Sequence, residues 1–184
     1  MHETQAELID VVRALIDALE AARIPYAIGG AIALATWSEP RATKDIDLTL
    51  FVDEHVPDAA FDALEAAGLV VSRDAARREA RNRGLFVLRS PTGHRVDVFV
   101  PSIPFYSVAE QRRRRVRLAD RDTYVLDPES LAVFKLLFFR PKYLIDIARM
   151  LEIRPVDATV VRDALIETVG EDDILVVRWD ELTR

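Results

Sequence analysis

The stretch Asp45-Ile46-Asp47-Leu48-Thr49-Leu50-Phe51 decides the fold. Polar and apolar residues alternate along it, as in a strand with one face in the core. A period of two sends Asp45 and Asp47 out of the same face. Their Cα atoms then lie roughly 6.6 Å apart, near enough for both carboxylates to converge on one or two hard cations. Without a counter-ion the two acids repel and raise each other's pKa, and a magnesium ion removes that repulsion. Taken alone, a D-x-D pair equally describes the wet face of an edge strand, so its neighbours decide.

Upstream, Leu8, Val11, Val12, Leu15, Ile16 and Leu19 recur at helical spacing, and Pro25 ends that helix. Tyr26-Ala27-Ile28 is a short strand running into Gly29-Gly30, and Ala31 to Trp37 is a buried helix. Glycines between a strand and a helix admit a phosphate to the free N–H groups of the helix start, or simply form a tight turn. Downstream, Ala59 to Ala67 is a helix closed by Gly68. Leu85 to Leu88 and Arg95 to Val100 form a hairpin across Ser90-Pro91-Thr92-Gly93. Within it Asp97 is an acid in a β-branched strand, costly there unless it meets water or a ligand. It shares its face with Arg95 and Phe99, so a surface acid is the plainer reading. Three carboxylates from two strands beside a glycine turn together specify a two-metal phosphoryl-transfer site.

This order predicts an α/β (α+β) fold, a small mixed β-sheet with flanking helices. After Pro104 the chain reads as helical, over Pro128–Phe139, Lys142–Leu151 and Val156–Val169. The expected division is a core over 1–105 and a helical C-terminal extension over 106–184.

Composition excludes several classes. With 184 residues the chain can bury a sizeable core, and without cysteine it has no disulfide, thiolate zinc site or cysteine nucleophile. A net charge of −6 excludes a uniformly basic nucleic-acid coat. The polar start lacks a signal-peptide layout, and the longest apolar run, Tyr26 to Ala35, is too short for a bilayer. A soluble, cytoplasmic protein is expected. There is no G-x-x-x-x-G-K phosphate loop, and no Ser/His/Asp arrangement has nucleophile spacing. His2, His55 and His94 are scattered, with His94 expected at the surface, and Trp37 and Trp179 read as packing residues. Lys135, among Leu131, Val133, Phe134, Leu136 and Leu137, either faces a cleft or snorkels to the surface. The run Arg112-Arg113-Arg114-Arg115 either tracks the phosphates of an RNA acceptor or is a solvated helix face balanced by Asp120 and Asp122. Arg73 to Arg83 is a second basic patch or a mobile loop.

Gly29-Gly30, ten further residues and Arg41-Ala42-Thr43-Lys44-Asp45-Ile46-Asp47 together resemble the G-G…R-x-T-x-D-h-D signature of the nucleotidyltransferase superfamily. Arg95-Val96-Asp97-Val98-Phe99 resembles its third acidic motif. The likeness covers residues 26–100 and is nearest to the AbiEii-like branch, which includes the MenT-type toxins. Arg140-Pro141-Lys142-Tyr143-Leu144-Ile145-Asp146 resembles that branch's R-x-K-D-x-x-D region, with Tyr143 where an acid is common. The resemblance implies a Mg²⁺ (or Mn²⁺) enzyme that moves an NMP from an NTP such as ATP to a hydroxyl and releases pyrophosphate. Asp45, Asp47 and Asp97 would be the catalytic metal ligands. Gly29, Gly30, Arg41, Thr43, Lys135 and Lys142 would bind the nucleotide. The implied acceptors are a tRNA 3′ end or a protein, in a toxin with a cognate antitoxin as partner. An aminoglycoside-type drug is a further acceptor, and a catalytically silent binding module is the competing class.

Overall fold

Alternation in the sequence becomes alternation in burial along β2 (Asp45–Leu50), where Ile46 and Leu48 are fully buried. The computed structural model describes residues 2–40, 42–118, 120–153 and 156–184. Arg41, expected in the nucleotide site, lies outside them. The other strands are β1 (Tyr26–Ile28), β3 (Leu85–Arg89), β4 (Arg95–Phe99), β5 (Arg114–Leu118) and β6 (Arg121–Val125). They form one mixed sheet in the order β3-β4-β2-β1-β6-β5. β2 runs parallel to β4 and antiparallel to β1, while β1 and β6 pair in parallel at Ile28 and Val125.

The helices cover the sheet as their apolar stripes require. In α1 (His2–Ala22) the residues Leu8, Val11, Val12, Leu15, Ile16 and Leu19 are all buried. Burying each such side chain contributes about 1.5–3 kcal/mol before entropy is charged against it. The helix stops where Arg23 turns to φ +55 ahead of Pro25. α2 (Gly30–Trp37) starts directly after β1, and Trp37 Nε1 donates to the Leu126 carbonyl at 2.7 Å. α3 (Asp58–Ala66) packs on α1. α6 (Pro128–Leu137) is capped by Asp127, whose carboxylate accepts from the Ser130 N–H. Apolar on most sides, α6 is buried between α2, α7 (Pro141–Ile153) and α8 (Ala158–Val169). α9 (Ile174–Leu182) closes on α8 through Trp179, which is fully buried and donates from Nε1 to the Ala158 carbonyl.

Three particulars differ from expectation. The chain after Pro104 is mostly helical, as its sequence reads, but after α5 (Phe105–Arg112) it also forms the β5–β6 hairpin, so the sheet takes strands from both sides of residue 105. Arg73 to Arg83 is not a loop but helix α4, ended by Gly84 at φ +64. Its Arg73 is held by Asp58, Asp62 and Glu65. His94 is not exposed but 6% accessible, its Nδ1 3.4 Å from the Lys44 carbonyl and its Nε2 3.9 Å from Glu7 of α1. Among the described residues no helix is long and apolar enough to cross a membrane.

Candidate active site

The site begins with register. β2 and β4 align Asp47 directly opposite Asp97 and Asp45 opposite Arg95, so all four side chains share one face of the sheet. Neighbouring strands are about 4.8 Å apart, which brings the three carboxylates of Asp45, Asp47 and Asp97 into one neighbourhood. Asp45 is exposed, Asp47 half-buried and Asp97 buried.

The glycine pair completes this arrangement. The Gly29 N–H donates to the Asp47 carbonyl at 2.8 Å, extending the β1–β2 ladder to the start of α2. Gly30 has φ +56, and a Cβ built on it would lie 1.7 Å from Asp47 Oδ2. Only glycine lets the Asp47 carboxylate rest against the first turn of α2, where unpaired N–H groups favour negative charge. Thr43 Oγ1 donates to the Asp45 carbonyl at 3.0 Å and so braces the entry to β2.

Burial pushes the Asp47 carboxyl up from its ordinary range, and Asp97 and Asp45 add to the rise, while Lys135 and Arg140 oppose it. Carboxylate oxygens are hard donors, which fits Mg²⁺ or Mn²⁺. Among the described residues no three His, Asp or Glu side chains are gathered into a preformed metal cage. One reason is visible at Asp97, whose Oδ1 accepts from Arg95 Nε at 2.6 Å. Asp45 and Asp47 offer hard oxygen donors on one face of the sheet, while the Asp97 carboxylate beside them is held by Arg95.

The opposite wall comes from α6 and α7. Lys135 is 4% exposed, and its Nζ donates to the buried Asp146 Oδ2 at 2.8 Å. It lines the cleft with Gly30, Asp47 and Asp97 rather than snorkelling to the surface. Tyr143, at the position where the resembled branch carries an acid, presents its ring to Lys135 Nζ at 4.5 Å. Lys142 Nζ stands 5.7 Å and Arg140 Cζ 5.8 Å from the same ring. A ring face is electronegative, so the tyrosine gathers cations as a carboxylate would, without a second buried charge. Arg140, Tyr143 and Asp146 thus belong to this wall as well, a placement that the apolar spacing of the segment does not reveal. Beside this wall Phe99, Tyr106, Phe134 and Phe138 frame a narrow apolar slot of about 50 Å³ next to Gly29 and Asp47.

The arginine run is not one continuous patch. Arg112 bonds Asp127 and Glu129 at 2.8 Å each, and Arg113 stacks on Tyr124 at 4.4 Å. Arg114 and Arg115 are exposed on β5, with Arg115 3.6 Å from Asp122.

The sequence matches no family model and no curated protein. The fold, in contrast, is that of solved nucleotidyltransferases. The antibiotic-resistance factor ANT(2″)-Ia aligns at TM-score 0.57 and 14% identity, over 88% of this chain and 92% of that one. The same protein in complex with adenylyl-2″-tobramycin aligns at 0.54 and 13% identity, over 97% and 99%. The lincomycin-bound lincosamide antibiotic adenylyltransferase LnuA aligns at 0.53 and 14% identity, over 78% and 96%. At these identities the likeness defines the fold class.

Proposed function

We propose that this chain is a divalent-metal-dependent nucleotidyltransferase that moves an NMP from an NTP to a hydroxyl acceptor and releases pyrophosphate. The observation that carries the reading is the alignment of Asp47 with Asp97, beside Asp45, against a helix start that only glycine allows. Carboxylates gathered at that point repel one another, a cost that a bound cation relieves.

Asp45 and Asp47 would hold the metal, with Asp97 as the third ligand. The bound ion supplies charge neutralisation for the triphosphate and lowers the pKa of the acceptor hydroxyl. The chain's own groups do the rest. The first N–H groups of α2 after Gly29 face the phosphates, and Lys135, held in place by Asp146, adds a fixed positive charge. Lys142 and Thr43 line the same cleft, and Lys142 with Arg140 brings exposed positive charge to its rim. Asp97 accepts the proton of the acceptor hydroxyl, and the acceptor oxygen bonds to the α-phosphorus as the bond to pyrophosphate breaks.

For the acceptor, the resemblance to the AbiEii/MenT branch points to a tRNA 3′ end or a protein in a toxin–antitoxin pair. With Arg112 and Arg113 engaged internally, the run that supported an RNA acceptor is reduced to Arg114 and Arg115, and a small-molecule hydroxyl gains weight. The antibiotic substrates of the structural neighbours belong to the same small-molecule class. A silent binding module has one observation in its favour, the Arg95–Asp97 ion pair. The deciding experiment incubates the protein with each labelled NTP, Mg²⁺, and RNA, lysate protein or small-molecule fractions. A labelled product that disappears in Asp45→Ala supports transfer. Full activity in that variant, or none in the unchanged protein with any fraction, refutes it.

A further inference from the structure

The three aspartates differ in their neighbours. Asp97 is the buried member, and strand register fixes what adjoins it on its face of the sheet. Asp47 stands opposite on β2 and Val87 opposite on β3, while Arg95 and Phe99 lie two residues to either side along β4. Of these four, Arg95 alone is positive. A buried carboxylate between an acid and an aliphatic side chain is costly, and Arg95 offsets the cost with a bond from Nε to Oδ1 of 2.6 Å. The two partners are unequally placed: the Asp97 side chain is 8% exposed and that of Arg95 42%. Asp97 lines the cleft with Asp45, Asp47 and Lys135, whereas Arg95 is not among the described residues that line it. The guanidinium therefore holds the carboxylate from outside the cleft, and Asp45 and Asp47 border the space on its other side.

A divalent cation in the cleft would give Asp97 the neutralisation that Arg95 gives it in this structure, and two cations on one carboxylate repel each other. We propose that Arg95 is a positioning residue that competes with the cation for Asp97. In the metal-free chain the guanidinium keeps Asp97 out of the ligand set. Once Asp45 and Asp47 hold the cation, Asp97 turns to it, and Arg95 is released into the solvent that already reaches its side chain. The assignment rests on the metal-dependent transfer reading above and deepens it, because it names the residue that sets how readily the third carboxylate is given up. A fixed Arg95–Asp97 pair is the mark of a silent module, whereas an exchanging pair is one state of a working site.

The test uses the full chain and Mn²⁺ alone, with the free ion counted by electron paramagnetic resonance. Arg95→Gln should bind Mn²⁺ about tenfold more tightly than the parent, the scale of one charge-assisted contact that no longer competes. In an Asp97→Asn background the same substitution should change affinity by less than about twofold, because the carboxylate competed for is gone. Arg89→Gln is the control for charge alone. Arg89 stands opposite Arg95 on the same face and donates to the Gly93 carbonyl, so its removal should also stay within about twofold. A second measurement uses the unchanged protein and decides the question if Arg95→Gln does not fold. The side-chain Nε–H resonance of Arg95 should lose its hydrogen-bonded shift as Mg²⁺ is titrated in. An Arg95 resonance unmoved at saturating Mg²⁺, an unchanged affinity in Arg95→Gln, or an equal gain in the Asp97→Asn background or in Arg89→Gln overturns the exchange. Asp45→Ala separates this inference from the reading beneath it. If Mn²⁺ binds the parent and is lost in Asp45→Ala while Arg95→Gln changes nothing, the exchange falls and the metal site stands. If Mn²⁺ binds neither the parent nor Arg95→Gln, the metal site and the exchange fall together.

Discussion

Gly30→Ala tests the site at its tightest point. Two penalties meet there, and the structure allows them to be separated. The backbone sits at φ +56, a conformation that costs a non-glycine residue roughly 1–2 kcal/mol. The new Cβ also lands 1.7 Å from Asp47 Oδ2 and 2.5 Å from its Cγ, so the carboxylate must swing away from α2. Gly93 supplies the control: it has φ +85, but a Cβ there meets nothing within 4 Å. Gly93→Ala should therefore pay the backbone cost alone and leave NTP turnover unchanged. Gly30→Ala should pay that cost plus the displacement of Asp47, for a total of about 2–4 kcal/mol in urea unfolding. A shift of a ligand by about 1 Å typically costs on the order of 100-fold in rate, so turnover should fall by at least that much. The assays are urea denaturation of both variants and labelled-NMP incorporation. If Gly30→Ala matches Gly93→Ala in stability and keeps the parent rate, the Asp47 carboxylate does not depend on the glycine, and the site reasoning is wrong.

Other outcomes follow from charge. Because the Asp47 pKa is raised in the folded chain, the unfolded chain binds fewer protons between the ordinary aspartate value of 3.8 and the folded value, and stability falls as pH rises through that window. Asp47→Asn should accordingly be more stable than the parent at pH 7 and no more stable below about pH 3.8, with added Mn²⁺ closing the gap by stabilising the parent; thermal melts across pH, with and without the ion, read this directly. Asp146→Ala removes the carboxylate to which the buried Lys135 ammonium donates and should cost about 3–5 kcal/mol in urea unfolding, whereas Lys135→Met with Asp146→Leu together should cost much less. In the arginine run, Arg112→Ala should lower the melting temperature by leaving the Asp127 and Glu129 carboxylates without their cation, while Arg114→Ala should stay within about 0.5 kcal/mol of the parent.

The elements that position the aspartates were legible in the sequence because each carries its own local pattern. Alternation marks β2, the Pro91–Gly93 turn marks the β3–β4 hairpin, and the apolar stripe marks α1. The β5–β6 hairpin was not, although Val116 and Leu118 alternate with arginines and Tyr124 and Val125 favour strands. The density of charge there masks a period of two, and the turn depends on Asp120 at φ +62 rather than on a glycine. In the site, sequence could place Asp45 and Asp47 on one face, but the pairing of Asp97 with Asp47 is a matter of register across 50 residues of chain. The Arg95–Asp97 bond and the inward turn of Asp146 depend on rotamers that no spacing encodes. Burial of His94 was hidden because a histidine after a turn glycine is usually wet, and its neighbours Glu7 of α1 and the Lys44 carbonyl are distant in sequence.

The parallel contact between Ile28 and Val125 has a consequence for synthesis on the ribosome. When roughly the first hundred residues have emerged, all three aspartates and the glycine turn are already outside the exit tunnel. The strand that flanks β1, the carbonyl that receives Trp37 and the lysine facing Asp47 are still to be made. A nascent chain therefore holds its acids before it gains the wall of α6 and α7 that faces them, so a product cut short between the two carries the motif without that wall.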